Sequence, residues 1–454
     1  MKFSIVTLFP QLYEPFLATS LIHRAQEKGT VSFQVESLLS YCQPKERVDA
    51  PTFGHGSGML LRPEVIERAV TACEVASGPA FKIFFSPAGK KLDQDLLRSL
   101  HARVQEKKHV MLLPARYEGM DARIEEEYAD ETISLGDFVL MGGDLPAMVF
   151  LEGFLRLIPG IVGRQESVER DSFIGPFVDF PEYTAPAVWK GRSVPEVVRS
   201  GDHKQMQLWR DQQAMERTVK GHFGWLRQHA TSAEQHTKIL ATIPPHYAVL
   251  MHDQVLLPAD IVPEGEQGDS YRVGTTSITS LDIHDIARSA KTYGLQGYFL
   301  VTSLEDQRRI ASKLLHFWQE GVGVTYNPHR AEALASVQIR PSLEEVRRVI
   351  REREGKEPLI IATSAQVPTS PQGRAKVISY DDQVLVWAQD RPVVLVFGTG
   401  RGLAPQLLEG ADFILAPLEG YAPFNHLSVR SAAAVIFDRW LGIHLRREEI
   451  GKRS

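Results

Sequence analysis

Along this chain, short apolar runs bounded by glycine and proline alternate with longer stretches whose apolar residues recur every three or four positions. The runs at residues 3–8, 82–85, 110–113, 247–251, 297–301, 393–397 and 413–415 predict strands. Their alternation with helix-like stretches predicts α/β units on parallel sheets. Over residues 280–294, Ile283, Ile286, Ala287 and Ala290 share one helical face, with Ser280 as the expected N-cap and Gly294 beyond the end. Residues 201–228 lack strand-like runs and read as helical. The polar stretch 229–238 and the pair Pro244-Pro245 mark a boundary, after which a strand starts afresh at Tyr247.

A length of 454 residues predicts two or three domains. With 43% hydrophobic and 24% charged residues, the composition is that of a globular protein. A net charge of -5 argues against a bulk electrostatic nucleic-acid binder and leaves room for local basic patches. Cys42 and Cys73 are too few for a disulfide framework or a zinc cluster, which fits a reducing, cytoplasmic setting. The start MKFSIVTLFP has no signal-peptide pattern. No run of about 18 apolar residues occurs, so no membrane partner is expected.

Candidate chemistry concentrates in loops that follow strands. Residues 137–140 read as an apolar strand running into Gly142-Gly143, with Asp144 as N-cap and Pro146 in the first turn of a helix. The glycines let backbone approach a ligand closely. Residues 115–121 (ARYEGMD) follow the run 110–113, and residues 85–91 (FSPAGKK) follow another. Such positions at the carboxyl ends of parallel strands are where α/β sheets bind ligands. Residues 53–59 hold three glycines but lack P-loop spacing and an adjacent lysine, so His55 reads as a loop histidine. A charged loop covers residues 166–173.

Taken in order, LFP at 8–10, GHGSGM at 54–59, SPAGKKLDQ at 86–94, RYEGMDAR at 116–123, SLGDFVLMGGDLPAM at 134–148, RLIPGIVG at 156–163, ERDSF at 169–173, PEYTAP at 181–186 and the helical stretch 201–218 resemble the bacterial TrmD family of tRNA (guanine-N1)-methyltransferases. The resemblance spans about residues 1–230. It implies an α/β, trefoil-knotted SPOUT domain at 1–165, a loop and helical tRNA-binding extension at 166–232, a linker at 233–245, and a homodimer. The implied donor is S-adenosylmethionine, and the implied target is N1 of the guanosine just 3′ of the anticodon of tRNA. By position, the donor-binding residues are Phe84, Phe85, Ser86 and Pro87; Ala115, Tyr117, Glu118 and Gly119; Leu135, Gly136, Asp137, Phe138, Val139 and Leu140; with Gly142, Gly143 and Pro146 nearby. Asp171 matches the general base, and Arg156 is the candidate that stabilises charge on the guanine O6. Asp171 is expected to reach the partner subunit's donor site. Magnesium dependence is implied as well, with no ligand set visible. The family has glutamate where Asp144 stands and glycine where Ala115 stands.

The second half carries its own signals. The strand 393–397 runs into Gly398, Gly400 and Gly402, a G-x-G-x-G spacing that fits a dinucleotide fingerprint poorly. With ILAPLEG at 414–420, NHLSVRSAAA at 425–434 and LDIHDIA at 281–287, it resembles a family of predicted SPOUT RNA methyltransferases found alone or fused to TrmD. A second SPOUT-like α/β domain is therefore expected at 246–454. Its possible donor site comprises Thr363, Gly398, Gly400, Gly402, Leu418, Asn425 and Ser428, and Arg430 is a further functional candidate. Two other readings stand beside it: a non-catalytic RNA-binding or dimerisation module, and an oxidoreductase resting on the glycine spacing alone.

Overall fold

Strands buried on both faces need apolar residues at odd and even positions alike, and the strand runs of this chain provide them. The computed structural model describes residues 1–56, 58–162, 171–229, 232–258, 271–366, 375–422 and 424–444. Ser57, Gly163, the expected domain boundary at 165/166, and Glu169 and Arg170 of the charged loop lie outside them. The chain forms two compact units, Met1–Ile174 and Gly175–Ser454.

In the first unit, β1 (Lys2–Thr7), β2 (Ser32–Ser37), β5 (Phe81–Lys91), β6 (His109–Leu113) and β7 (Glu131–Ser134) form a parallel sheet in the order β2-β1-β6-β5-β7. A small antiparallel pair, β3 (Asp49–Pro51) and β4 (Met59–Leu61), stands apart from it. Side chains of period two divide the core. Phe3, Ile5, Ile83 and Leu112 pack with Phe150, Leu151 and Phe154 of the helix Asp144–Leu155. Val6, Phe84, Met111 and Leu113 pack with Val65, Ile66 and Ala69 of the helix Pro63–Ser77.

The second unit opens with a short antiparallel hairpin, β8 (Val188–Trp189) and β9 (Arg192–Ser193), and the helices His203–Gly221, Phe223–His229 and Ala233–Thr242. The last helix occupies most of the stretch expected as a linker. Its capping box, Ser232 with Gln235, was the sequence signal for it. A seven-stranded parallel sheet follows, from β10 (His246–Met251), β13 (Gly297–Val301), β14 (Val337–Arg340), β15 (Leu359–Thr363), β16 (Lys376–Ile378), β17 (Val393–Gly398) and β18 (Phe413–Leu415), in the order β14-β13-β10-β17-β15-β18-β16. A hairpin of β11 (Val255–Pro258) and β12 (Tyr271–Gly274) lies beside it. The helix Ser280–Thr292 starts one residue earlier than expected, because Thr279 rather than Ser280 is its cap and accepts from the Asp282 N–H.

Val219, Phe223, Leu226, Ile239 and Ile243 of the preceding helical stretch share one core with Ala248, Trp387 and Trp440. At its centre, the His246 Nε2 accepts from the indole N–H groups of Trp387 and Trp440 at 3.1 and 3.0 Å, and its Nδ1–H donates to the Pro244 carbonyl at 2.6 Å. Burial holds this neutral imidazole down to about 4 from 6.5. The unfolded chain takes up a proton as pH falls from 6.5 towards 4 and the folded one does not, so the stabilisation is complete above the unfolded value and is lost on acidification across that window. Denaturation of the second unit should lose on the order of 3 kcal/mol from this histidine between neutral pH and pH 4, and His246→Phe should flatten that slope. An equally steep slope in the variant would assign the loss elsewhere.

Candidate active sites

In the first unit three loops meet where β5, β6 and β7 end. Along β5 the register on β7 jumps, since Phe85 and Lys90 both pair with Ile133, and residues 86–89 bulge out between them. A Cβ on Gly89 would stand 2.7 Å from the Ile133 backbone, so this close approach requires glycine. After β6, Tyr117 and Gly119 take positive φ and turn the chain back. The Glu118 N–H then donates to the Met59 carbonyl at 3.1 Å, and the Leu61 N–H to the Gly119 carbonyl at 3.0 Å. The third loop returns beneath the second: the Gly143 N–H donates to the Ala115 carbonyl at 2.7 Å.

These loops line an open cavity of about 340 Å³, within the usual range for a small-molecule site. It is lined by Phe84, Phe85, Ser86, Pro87, Ala115, Tyr117, Glu118, Gly119, Leu135, Phe138, Val139, Leu140, Gly142, Gly143 and Pro146, together with Met120, Glu125, Ile133 and Ser134, which the sequence reading missed. Gly136 and Asp137 do not line it. The Gly136 carbonyl accepts from the Ser134 hydroxyl at 3.2 Å, and the Asp137 carboxylate pairs with Lys91 at 2.9 Å.

Two local expectations are corrected. Residues 137–140 are loop, because β7 ends at Ser134 in the turn made with Gly136 and no strand pairs beyond it. Their apolar side chains stand in solvent, Val139 at 86% exposure. Asp144 is not the N-cap: Gly143 is, and Asp144 lies inside the first turn with its carboxylate buried. There Oδ1 accepts from the hydroxyls of Thr7 at 2.6 Å and Tyr13 at 3.1 Å, and Oδ2 from the Arg116 Nε at 2.8 Å. Burial, reinforced by this carboxylate, pushes the Tyr13 phenol well up, so it stays a donor. One buried charge thus ties the end of β1, the helix start and the 115–119 turn together, at the end of the helix that favours an anion.

Arg156 donates to the Asp171 carboxylate, so the two sequence-assigned catalytic residues meet. Neither lines the cavity. Arg156 caps the C-terminal end of the helix Asp144–Leu155, whose other end holds the cavity residue Pro146. Twelve residues at a rise of about 1.5 Å separate those ends by about 18 Å.

The second unit holds a larger cavity of about 1290 Å³, lined by all seven sequence-assigned residues, Thr363, Gly398, Gly400, Gly402, Leu418, Asn425 and Ser428. The Thr363 hydroxyl donates to the Val396 carbonyl at 2.9 Å, and the Asn425 amide to the Ala365 carbonyl at 3.1 Å. Gly400 has positive φ, and a Cβ there would stand 2.7 Å from the Leu256 carbonyl oxygen. The glycine run therefore folds as a turn against β11. The Ser428 hydroxyl accepts from the Ser431 N–H at 3.3 Å and caps the helix Val429–Leu441.

Arg430 lies outside this wall and pairs with Asp285 at 3.1 Å and Asp282 at 3.4 Å. Asp282 does line the cavity, and its Oδ2 accepts from the Thr279 hydroxyl at 2.6 Å. The sequence reading passed over it within LDIHDIA, where its spacing was that of an ordinary first-turn acid. Beneath the same wall, the His252 Nδ1 meets the Thr276 hydroxyl at 3.2 Å, and its buried Nε2 has no partner among the described residues. Burial lowers this imidazole to about 4 against the opposing pull of Asp282 and Asp253. Among the described residues no three His, Cys, Asp or Glu side chains form a metal-holding group, and no helix is long and apolar enough to cross a membrane.

Residues 1–227 match the family model described as tRNA (Guanine-1)-methyltransferase TrmD, and residues 267–442 match one described as SAM-dependent RNA methyltransferase. A tRNA (guanine-N(1)-)-methyltransferase of Nitratidesulfovibrio vulgaris is 38% identical over 453 residues, covering 97% of this chain and 99% of that protein. One of Oleidesulfovibrio alaskensis is 37% identical over 449 residues, covering 97% and 99%. The crystal structure of tRNA (m1G37) methyltransferase from Aquifex aeolicus is 32% identical and covers 46% of this chain and 87% of that one, with a TM-score of 0.39.

Proposed function

The chain belongs to the tRNA (guanine-1)-methyltransferase TrmD family, and from that premise we propose how its first unit methylates N1 of the guanosine 3′-adjacent to the anticodon of tRNA. The observation that carries the reading is the cavity at the ends of β5, β6 and β7, where three loops present backbone groups to one small-molecule space. When bound there, S-adenosylmethionine supplies an electrophilic methyl group on a sulfonium sulfur. Gly142 and Gly143 let two of these loops close up beside that space, since a Cβ on Gly142 would stand 2.5 Å from the Arg116 side chain and one on Gly143 would stand 2.8 Å from the Ala115 backbone nitrogen.

Guanine N1 carries a proton and is a poor nucleophile. Asp171 accepts that proton as the N1–methyl bond forms and the sulfur–methyl bond breaks. Negative charge then builds on O6, and Arg156, already beside Asp171, stabilises it. Because this pair sits at the far end of a helix from its own cavity, we assign it to the donor cavity of a second copy, giving a homodimer with shared sites. Met141, Leu145 and Val149, exposed at intervals of four residues along the loop and helix, form the apolar stripe that such a partner would cover. The trefoil-knotted SPOUT topology, with a first domain at 1–165 and a second at 246–454, belongs to the same reading. It is supported by the family match over residues 1–227.

The second unit is read as a second RNA methyltransferase that takes the same donor. Its cavity, lined by all seven assigned residues, and the match of residues 267–442 to an RNA methyltransferase family favour this over a non-catalytic module. Magnesium has no three-carboxylate or mixed ligand group among the described residues, and no step here runs through it.

Gly143→Val tests the first cavity. The new Cβ would meet the Pro114–Ala115 backbone at 2.8–3.1 Å, and no rotamer change moves it away. The KM for S-adenosylmethionine in guanosine methylation should rise about ten- to a hundredfold, with the KM for tRNA little changed. An unchanged donor KM would remove this cavity from the reaction.

A further inference from the structure

The helices His203–Gly221 and Phe223–His229 fall largely within the stretch that matches the tRNA methyltransferase family, yet they fold on the body that holds the second cavity. Phe223 packs edge-on against Trp387 with ring centroids 4.7 Å apart. Arg227, the last residue of the first family match, donates to the carbonyls of Asp438, Arg439 and Gly442 at 2.8, 2.9 and 2.6 Å. Those carbonyls lie at the C-terminal end of the helix Val429–Leu441, where the Asp438 carbonyl also accepts from the Gly442 N–H and the helix dipole favours a cation. The other end of this helix, at Ser428 and Val429, is cavity wall. Thirteen residues at about 1.5 Å each make it a rod of about 20 Å joining the family's helical stretch to the second cavity.

The same body presents a surface suited to RNA. On the β8–β9 hairpin Trp189 is 58% exposed, the Lys190 ammonium lies 4.8 Å from its ring centroid, and Arg192 is exposed beside them. A flat aromatic side chain among cations stacks on any base and attracts the phosphates around it. The segment before the hairpin is pinned to the helix His203–Gly221: the Val178 N–H donates to the Thr218 hydroxyl at 2.9 Å, and Arg217 to the Asp179 carbonyl at 2.9 Å.

We infer that the second cavity methylates tRNA, at a nucleotide other than the guanosine of the first site, with Asp282 as the proton acceptor. The inference rests on the reading of that cavity as a donor site. An RNA held on the hairpin and helices is held by the body that carries the cavity, so the substrate of the second site is the RNA the first family recognises. Asp282 and Glu409 are the carboxylates among the described cavity-lining residues, and Asp282 is the one held in place by other side chains of the cavity region. Thr279 and Arg430 fix its carboxylate from two sides, leaving it placed to receive a proton from the attacking nitrogen or hydroxyl. As the new bond to the methyl carbon forms, the sulfur–methyl bond breaks and S-adenosylhomocysteine leaves.

The test uses the full chain carrying Asp171→Asn, so that the first site is silent, with labelled S-adenosylmethionine. Equilibrium dialysis should give two donor equivalents per chain. A pool of unmodified tRNA transcripts should take up label, mapped to a nucleotide other than the guanosine 3′ of the anticodon. Adding Asp282→Asn should cut that uptake about a hundredfold or more, with two donor equivalents still bound. One donor equivalent would overturn the donor-site reading itself. Two equivalents with no label in tRNA, or label taken up only by a ribosomal RNA transcript, would overturn the inference and leave the reading standing. Undiminished uptake after Asp282→Asn would remove Asp282 from the proton transfer.

Discussion

Asp171→Asn is expected to lower turnover of guanosine methylation by about 10²–10⁴-fold, with the donor's affinity at the first cavity unchanged. The amide keeps the shape of the carboxylate and can still meet Arg156, but it cannot take the N1 proton. Donor affinity survives because every described residue of the cavity wall is unchanged and Asp171 acts on the guanine proton rather than on the donor. The shared site gives this prediction a second arm. A chain with Asp171→Asn has an intact cavity, and one with Gly143→Val has an intact base. In an equimolar mixture of the two, half the dimers combine both chains, and each of those holds one complete site. Activity should therefore return to about a quarter of the wild-type value. A mixture no more active than its components would mean that base and cavity act within one chain.

Asp144→Ala should destabilise the first unit by about 3–5 kcal/mol, the usual consequence of removing one partner from a buried ion pair. Arg116 loses the carboxylate that holds it, and the hydroxyls of Thr7 and Tyr13 lose their acceptor inside the core. The 115–119 turn is released at the same time, so donor binding falls with stability. Hydrogen exchange of the β1 and β6 amides in the intact chain would measure this, with faster exchange confined to the first unit. Exchange at the wild-type rate would show that the three partners find other acceptors.

The sheets were legible in the sequence because strand runs covered on both faces have no other use: residues 3–8 and 110–113 fall within a residue of β1 and β6. The cavity loops were legible because glycine at close approaches leaves a fixed mark, as at Gly89 and Gly143. Residues 137–140 misled because apolar side chains were taken to be buried in this chain, whereas they lie exposed on a loop. Asp144 misled because an acid after Gly-Gly fits a cap, and only the folded chain brings Thr7, Tyr13 and Arg116 to it from distant positions. The helix Ala233–Thr242 was hidden by its polar face, although Ile239 and Ile243 carry it into the core of the second unit. Asp282 could not be singled out until β15, β17 and the helix Val429–Leu441 set the cavity around it.

The most direct measurement is the nucleotide itself. An unmodified tRNA transcript with guanosine 3′ of the anticodon would be incubated with the full chain and S-adenosylmethionine, digested to nucleosides, and compared with a transcript carrying adenosine at that position. The account predicts 1-methylguanosine from the first transcript, mapped to that position, and none from the second. A first transcript that yields no 1-methylguanosine there, under conditions where the donor is bound, would contradict it.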